Sequence, residues 1–289
     1  MLSITVDNRR GILNKNRKQT ITENRALVCF LNEDNGEYKI IKEDVLPDNL
    51  IDTDKYKPFG CYIFSESIYV GNHDKVIKLD KEGNYISNIT LEGFKNPHEI
   101  LINENVACYT NTGKDEIYLK NKNGNYLIDL KNLPKSLNDI NQDDTHHVNS
   151  LCYHDDKIFF CLHNRGTKPS QYYYIDLKTN EIHYICEYGM SSHNCEIEGD
   201  FLYTLSTNTG CFACINWKTG KGWETKLVDR KDYFLRGLVV TKNHFIIGAS
   251  LSGNDMGNSE ILIIDRETKE IVNKYYIEGY NSIRVIKKI

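Results

Sequence analysis

The stretch NSLCYHDDKIFFCLHNRG, residues 149–166, decides how the chain folds. Apolar residues crowd positions 151–153 and 158–162, and the polar segment HDDK separates them. Runs this short, rich in aromatic and β-branched residues and joined by Asp-Asp, read as the two strands of an antiparallel hairpin. A loop ending in Gly166 follows, and YYYID at 172–176 then reads as a third strand.

The same order of events recurs along the chain. GCYIFSESIYVGN from Gly60, HEILINENVACYTNTG from His98, HNCEIEGDFLYTLSTNTG from His193 and RGLVVTKNHFIIGASLSGN from Arg236 each repeat it: short strand, polar turn, second strand, polar loop. Third strands tend to end in Asp, as in VIKLD, YYYID and ILIID, and a fourth such as IVNKYYIEG closes the unit. The anchors at 60, 98, 149, 193 and 236 lie 38, 51, 44 and 43 residues apart. That period suits a four-stranded antiparallel blade; it is too long for a leucine-rich repeat and lacks the helices of other solenoids. The expected fold is all-β: a β-propeller of six four-stranded blades, with seven as the alternative if residues 1–25 contribute. NSIRVIKKI from Asn281 reads as a first strand with nothing after it, and ALVCFLNEDNGEYKIIKED from Ala26 as second and third strands without a first. Pairing the N- and C-terminal strands closes the ring and removes an open sheet edge. A single propeller domain then occupies 26–289, and residues 1–25 form a leader with no assigned place.

On this repeat the chain resembles the broad six-bladed superfamily of NHL-repeat, gluconolactonase and streptogramin-lyase propellers. The resemblance is architectural. The chain has no Trp-Asp dipeptide and no double glycine of the Kelch type. It shows neither the acidic metal ligands that gluconolactonase relatives carry at inner-strand starts nor the glycine-rich strand signature of streptogramin lyases. The resemblance therefore implies the fold and carries no activity with it.

Composition narrows the field further. The chain has 289 residues, ample for a buried core, and a formal net charge of -4, so no basic field favours nucleic acid. NRR (8–10) and KNRK (15–18) read as solvated charge. No apolar run reaches the roughly 18 residues that span a bilayer, and the first residues lack a signal-peptide core. Nine cysteines without a signal fit a reducing compartment, so a cytoplasmic protein without disulfides is expected. Cys211 and Cys214 form a CxxC inside a strand-like run, where an offset of three splits the side chains between faces and makes them core thiols rather than a zinc pair.

In a propeller the first strand of each blade is innermost. Aligned on Phe64, Ile102, Tyr153, Ile197, Val240 and Val285, the blades place Gly60, His98, Asn149, His193, Arg236 and Asn281 at one equivalent position, four residues earlier. This is a polar ring where packing alone would select Val or Ile. His147, two residues before Asn149, shares its direction by strand alternation, whereas His146 points away. Loops after the second strands open on the same mouth, with His163, Asn164 and Arg165 the residues expected to reach inward. Parity puts Glu99 off the ring.

Three readings follow. In the first, His98, His147 and His193 hold a divalent ion, zinc, iron or manganese. Asn149 and Arg236 then assist hydrolysis or lyase-type elimination on a small polar or sugar-derived, anionic substrate, with His163, Asn164, Arg165 and Asn281 as further contacts. In the second, the histidines are a metal-free acid and base, and Arg236 stabilises an oxyanion. In the third, the propeller is a non-enzymatic module whose rim binds a protein or glycan. No membrane or nucleic-acid partner is expected in any of them.

Overall fold

Antiparallel hairpins build the molecule, several of them with two-residue turns. In the third blade Val148–His154 pairs antiparallel with Lys157–Leu162, Leu151 opposite Phe160 and His154 opposite Lys157. Asp155 and Asp156 make the turn with φ of 47° and 56°, the left-handed pair that matches strand twist and that Asp tolerates. The computed structural model describes residues 2–7, 26–31, 38–43, 58–72, 75–90, 93–133, 144–252, 258–277 and 282–288.

Five four-stranded antiparallel blades follow one another. They begin with the strands Pro58–Phe64, Ile100–Ile102, Val148–His154, Ser192–Glu198 and Tyr233–Val240, and each runs outward in chain order. Burial grades the same way. Val148–Leu151 is buried, whereas the fourth strand Lys221–Lys226 is almost wholly exposed. Between blades lies a dry apolar layer: Leu101, Cys108 and Leu119 of the second blade pack with Leu151, Phe160 and Tyr173 of the third. Cys161 and the Cys211–Cys214 pair are buried free thiols, as their strand positions predict.

The chain ends meet in a further sheet. Ser282–Lys288 pairs with Leu2–Asp7, which pairs with Ala26–Leu31, which pairs with Tyr38–Glu43. Ala26–Leu31 and Tyr38–Glu43 therefore hold the third and fourth places, not the second and third, and a strand from within residues 1–25 fills the second. The apolar run of Ala26–Leu31 suits either middle place, which is why pattern alone misassigned it. Ser282–Lys288 packs beside Tyr233–Val240 on one side and Pro58–Phe64 on the other.

Two devices position the axial residues. First, inner strands carry a β-bulge near their start. Pairing jumps from Val148↔Leu162 to Ser150↔Cys161, from His193↔Leu205 to Cys195↔Thr204, from Leu235↔Ala249 to Leu238↔Ile247, and from Val6↔Ile283 to Thr5↔Val285. The extra residues are Asn149, Asn194, the Arg236–Gly237 pair and Arg284; a bulge re-aims such side chains. Second, hydroxyls at the ends of second strands donate to inner-strand carbonyls of the next blade. Thr112 donates to Val148 O, Thr207 to Leu235 O and Ser250 to Ile283 O. Thr112 and Thr207 of the TNTG loops thus join blades, whereas Thr209 bonds Ser206 within its own. Gly60 is also structural: a Cβ there would lie 2.8 Å from Glu99 Cα.

Candidate acid–base site at the axial mouth

Asp115 sets the site up. Its backbone is left-handed, with φ 56°, and its carboxylate accepts three consecutive backbone N–H groups, from Thr145 (2.6 Å), His146 (3.1 Å) and His147 (2.7 Å). Successive N–H groups folded around one anion form a nest. The nest turns the chain at His147, itself at φ 53°, just ahead of the strand. Strand alternation therefore does not apply to this residue; the nest instead sets its ring against His98, which lines the axial cavity. His146 is not outside: it is 2% exposed, buried beside the nest.

Asp144, three residues earlier, holds the His147 ring. Its Oδ1 lies 2.6 Å from His147 Nδ1, and since a carboxylate only accepts, Nδ1 carries the proton and Nε2 keeps the lone pair. Arg165 does not reach inward. It donates to the Asp144 carbonyl oxygen at 3.1 Å and pairs with the Asp144 carboxylate, so it buttresses the group that orients His147. Asn164 is also turned from the cavity: its Nδ2 donates to Pro169 O at 2.8 Å and closes its own loop.

Four imidazoles then stand in file. Ring centroids are 4.7 Å apart for His98–His147, 5.1 Å for His147–His163 and 4.8 Å for His163–His193, each in edge contact. Arg236 ends the file, its Nη2 donating to His193 Nε2 at 2.9 Å while its guanidinium stacks over Phe234. A guanidinium only donates, so His193 is the Nδ1–H tautomer. That N–H faces Thr207 Oγ1 at 2.8 Å and Ser191 O at 3.0 Å. Asn149 lies against the file, its Nδ2 donating to Ser192 O of the next blade.

His98, Glu99, Asn149, His193, Asn194, Arg236 and Arg284 line a cavity of about 20 Å³, room for roughly one water. The imidazoles are neutral. Burial, with the Arg236 cation, pushes His147 down to about 4 and, with His147 and Arg236, His163 down to about 3. Burial and neighbouring cations hold His98 and His193 well below the usual imidazole range. At His147 the Asp115 carboxylate acts in the opposite sense and favours the imidazolium. Glu99, on the cavity wall after all, is raised by burial to about 7.

These residues do not fit the expected His98–His147–His193 metal centre. The His193 Nε2 lone pair accepts from Arg236, a cation at the position a divalent ion would share. Among the described residues no three His, Cys, Asp or Glu side chains are grouped to hold a metal ion.

Of the anticipated residues, the structure brings His98, His147, Asn149, His163, His193 and Arg236 together; Asn281 lies outside the described residues. It adds Asp144, Asp115, Asn194 and Arg284. Asp144 stands at His147 minus three, the one sequence signal that could have found the pair. Arg284 follows from the bulge, which an alignment anchored on Val285 could not register.

No protein-family model and no curated protein matches the chain's sequence. Solved structures share its fold. The chain is similar to a chain of a nidogen–laminin complex, with a TM-score of 0.68, 8% identity, and 98% of this chain and 97% of that one covered. A protein of unknown function from Bacteroides caccae aligns at a TM-score of 0.65, 11% identity and 100% and 99% coverage. A putative 6-phosphogluconolactonase from Bacteroides uniformis aligns at 0.56, 12% identity and 97% and 82% coverage. At these identities the likeness shows the fold alone. The chain is a β-propeller whose structural neighbours include both a lactonase-like protein and a component of a protein–protein complex.

Proposed function

We propose that the axial mouth is a metal-free acid–base site for a small polar or sugar-derived molecule bearing a carboxylate or phosphate. The observation that carries this reading is the Asp144–His147 pair at 2.6 Å, beside a cavity lined by both Arg236 and Arg284. Asp144 fixes the tautomer that leaves His147 Nε2 able to take a proton, the arrangement a general base needs. The guanidinium groups supply the field for an anionic group or a developing oxyanion. The cavity holds about one water, so the anionic group meets the guanidinium groups from the mouth and the molecule sits outside. The chemistry open to such a set is hydrolysis or lyase-type elimination. The ring that holds it is six-bladed, closed by the terminal sheet; the packing of Ser282–Lys288 against two inner strands supports this.

The test is a turnover screen of lactones, sugar acids and sugar phosphates. His147→Gln and Asp144→Asn should each lower kcat by about 10²–10⁴ with KM little changed. Arg236→Met should act chiefly on KM. Binding of a probe anion that persists with no turnover of any class would favour a non-enzymatic binding module instead.

A further inference from the structure

The floor of the axial mouth is also the floor of a second cavity that opens toward the other end of the inner strands. Lys287 Nζ lies 3.4 Å from Glu196 Oε1 and 3.9 Å from Glu99 Oε1, with only 13% of the lysine side chain exposed. Glu99 faces the histidine side. Lys287 and Glu196 face a cavity of about 270 Å³ near the hairpin turns. Its walls include Ile63, Leu101, Leu151, Ile197, Val239 and Val240, and Tyr62 lies beside the charged floor.

Size and charge together define an occupant. A dry cavity of about 150 Å³ holds benzene, so this one holds a ring with a short arm. Two carboxyl groups meet one ammonium here; Glu99, 2% exposed, faces the histidine side, so Glu196 is the acceptor that this cavity presents. An anion would set a further negative group beside Glu196, with Lys287 already paired. A neutral apolar molecule would leave the surplus acceptors unmet. A second ammonium satisfies them at Glu196, which is 28% exposed and lies on the cavity wall, while the Tyr62 ring face already carries Lys287.

We infer that this cavity binds a small primary amine with an apolar or aromatic body, its ammonium against Glu196 and its body among the aliphatic walls. Calorimetry on the full chain tests this with benzylammonium, benzyl alcohol and benzoate, three probes of one shape. Benzylammonium binds at least about tenfold tighter than benzyl alcohol, and benzoate does not bind. Glu196→Gln weakens benzylammonium about tenfold. Val240→Trp, which fills the partly exposed end of the cavity without touching the charges, abolishes binding. Arg236→Met leaves it unchanged and so separates this site from the axial mouth. Absence of benzylammonium binding, equal binding of the three probes, or binding that survives both cavity substitutions overturns the inference.

Discussion

At the level of single residues, the proposed chemistry turns on one proton. Asp144 fixes His147 as the Nδ1–H tautomer, and burial keeps the ring neutral. Nitrogen-15 spectra of the histidine rings at pH 6 should show His147 uncharged with a single tautomer. In Asp144→Asn the side-chain amide can donate or accept, and the ring should become a mixture of tautomers. A His147 that is protonated at pH 6, or a tautomer indifferent to Asp144, contradicts the assignment. Part of this was visible in DDTHHVNSL: the two histidines stand out, and the Asp three places earlier is the partner. The roles of Arg165 and Asn164 were not visible. Both follow from left-handed backbone in their own loop, at φ 51° and 54°, which turns one side chain onto Asp144 and the other onto Pro169.

Among the elements, hairpins were legible and bulges were not. Asp155-Asp156 between two apolar runs specifies a tight turn by local chemistry alone, and the repeat spacing specifies the blade. A bulge leaves no comparable mark. One inserted residue at Asn149, Asn194 or Arg284 breaks the two-residue alternation from which direction was inferred. Equivalence across blades held for His98, survived the bulges in the blades of Asn149, His193 and Arg236, and missed Arg284 in the last strand. The Asp115 nest was equally hidden, because a residue in one blade organises a turn roughly 30 positions later. Asp115→Ala leaves three N–H groups without their acceptor and should destabilise the fold by about 2–4 kcal/mol in urea unfolding. It should also disperse the His147 ring resonances, while Asp115→Asn, which keeps one acceptor oxygen, recovers part of the stability. Full stability in the alanine variant would show that the nest is not what holds the turn.

For the whole molecule, the buried imidazoles make stability depend on pH. Their folded-state values lie below the unfolded value near 6.5, so the unfolded chain takes up protons first as pH falls. Their contribution is present above about 6.5 and is lost on acidification through the window down to about 4 for His147 and about 3 for His163. Glu99 opposes this. Raised to about 7, it stabilises below its unfolded value near 4.5 and loses that contribution as pH rises through about 7. Four histidines outweigh one carboxyl, so urea midpoints should fall between pH 7 and 5 by the equivalent of a few kcal/mol. A flat or rising profile over that range would mean the rings are not buried neutral.

The proposed binding of an anionic group at the axial mouth is read out by titration with inorganic phosphate at pH 7, followed through the histidine nitrogen resonances. Saturable shifts are expected at His98, His147, His163 and His193 with a Kd of roughly millimolar or tighter, lost when Arg236 and Arg284 are both replaced by Met. Shifts that fail to saturate, or that persist unchanged in the double variant, would contradict it.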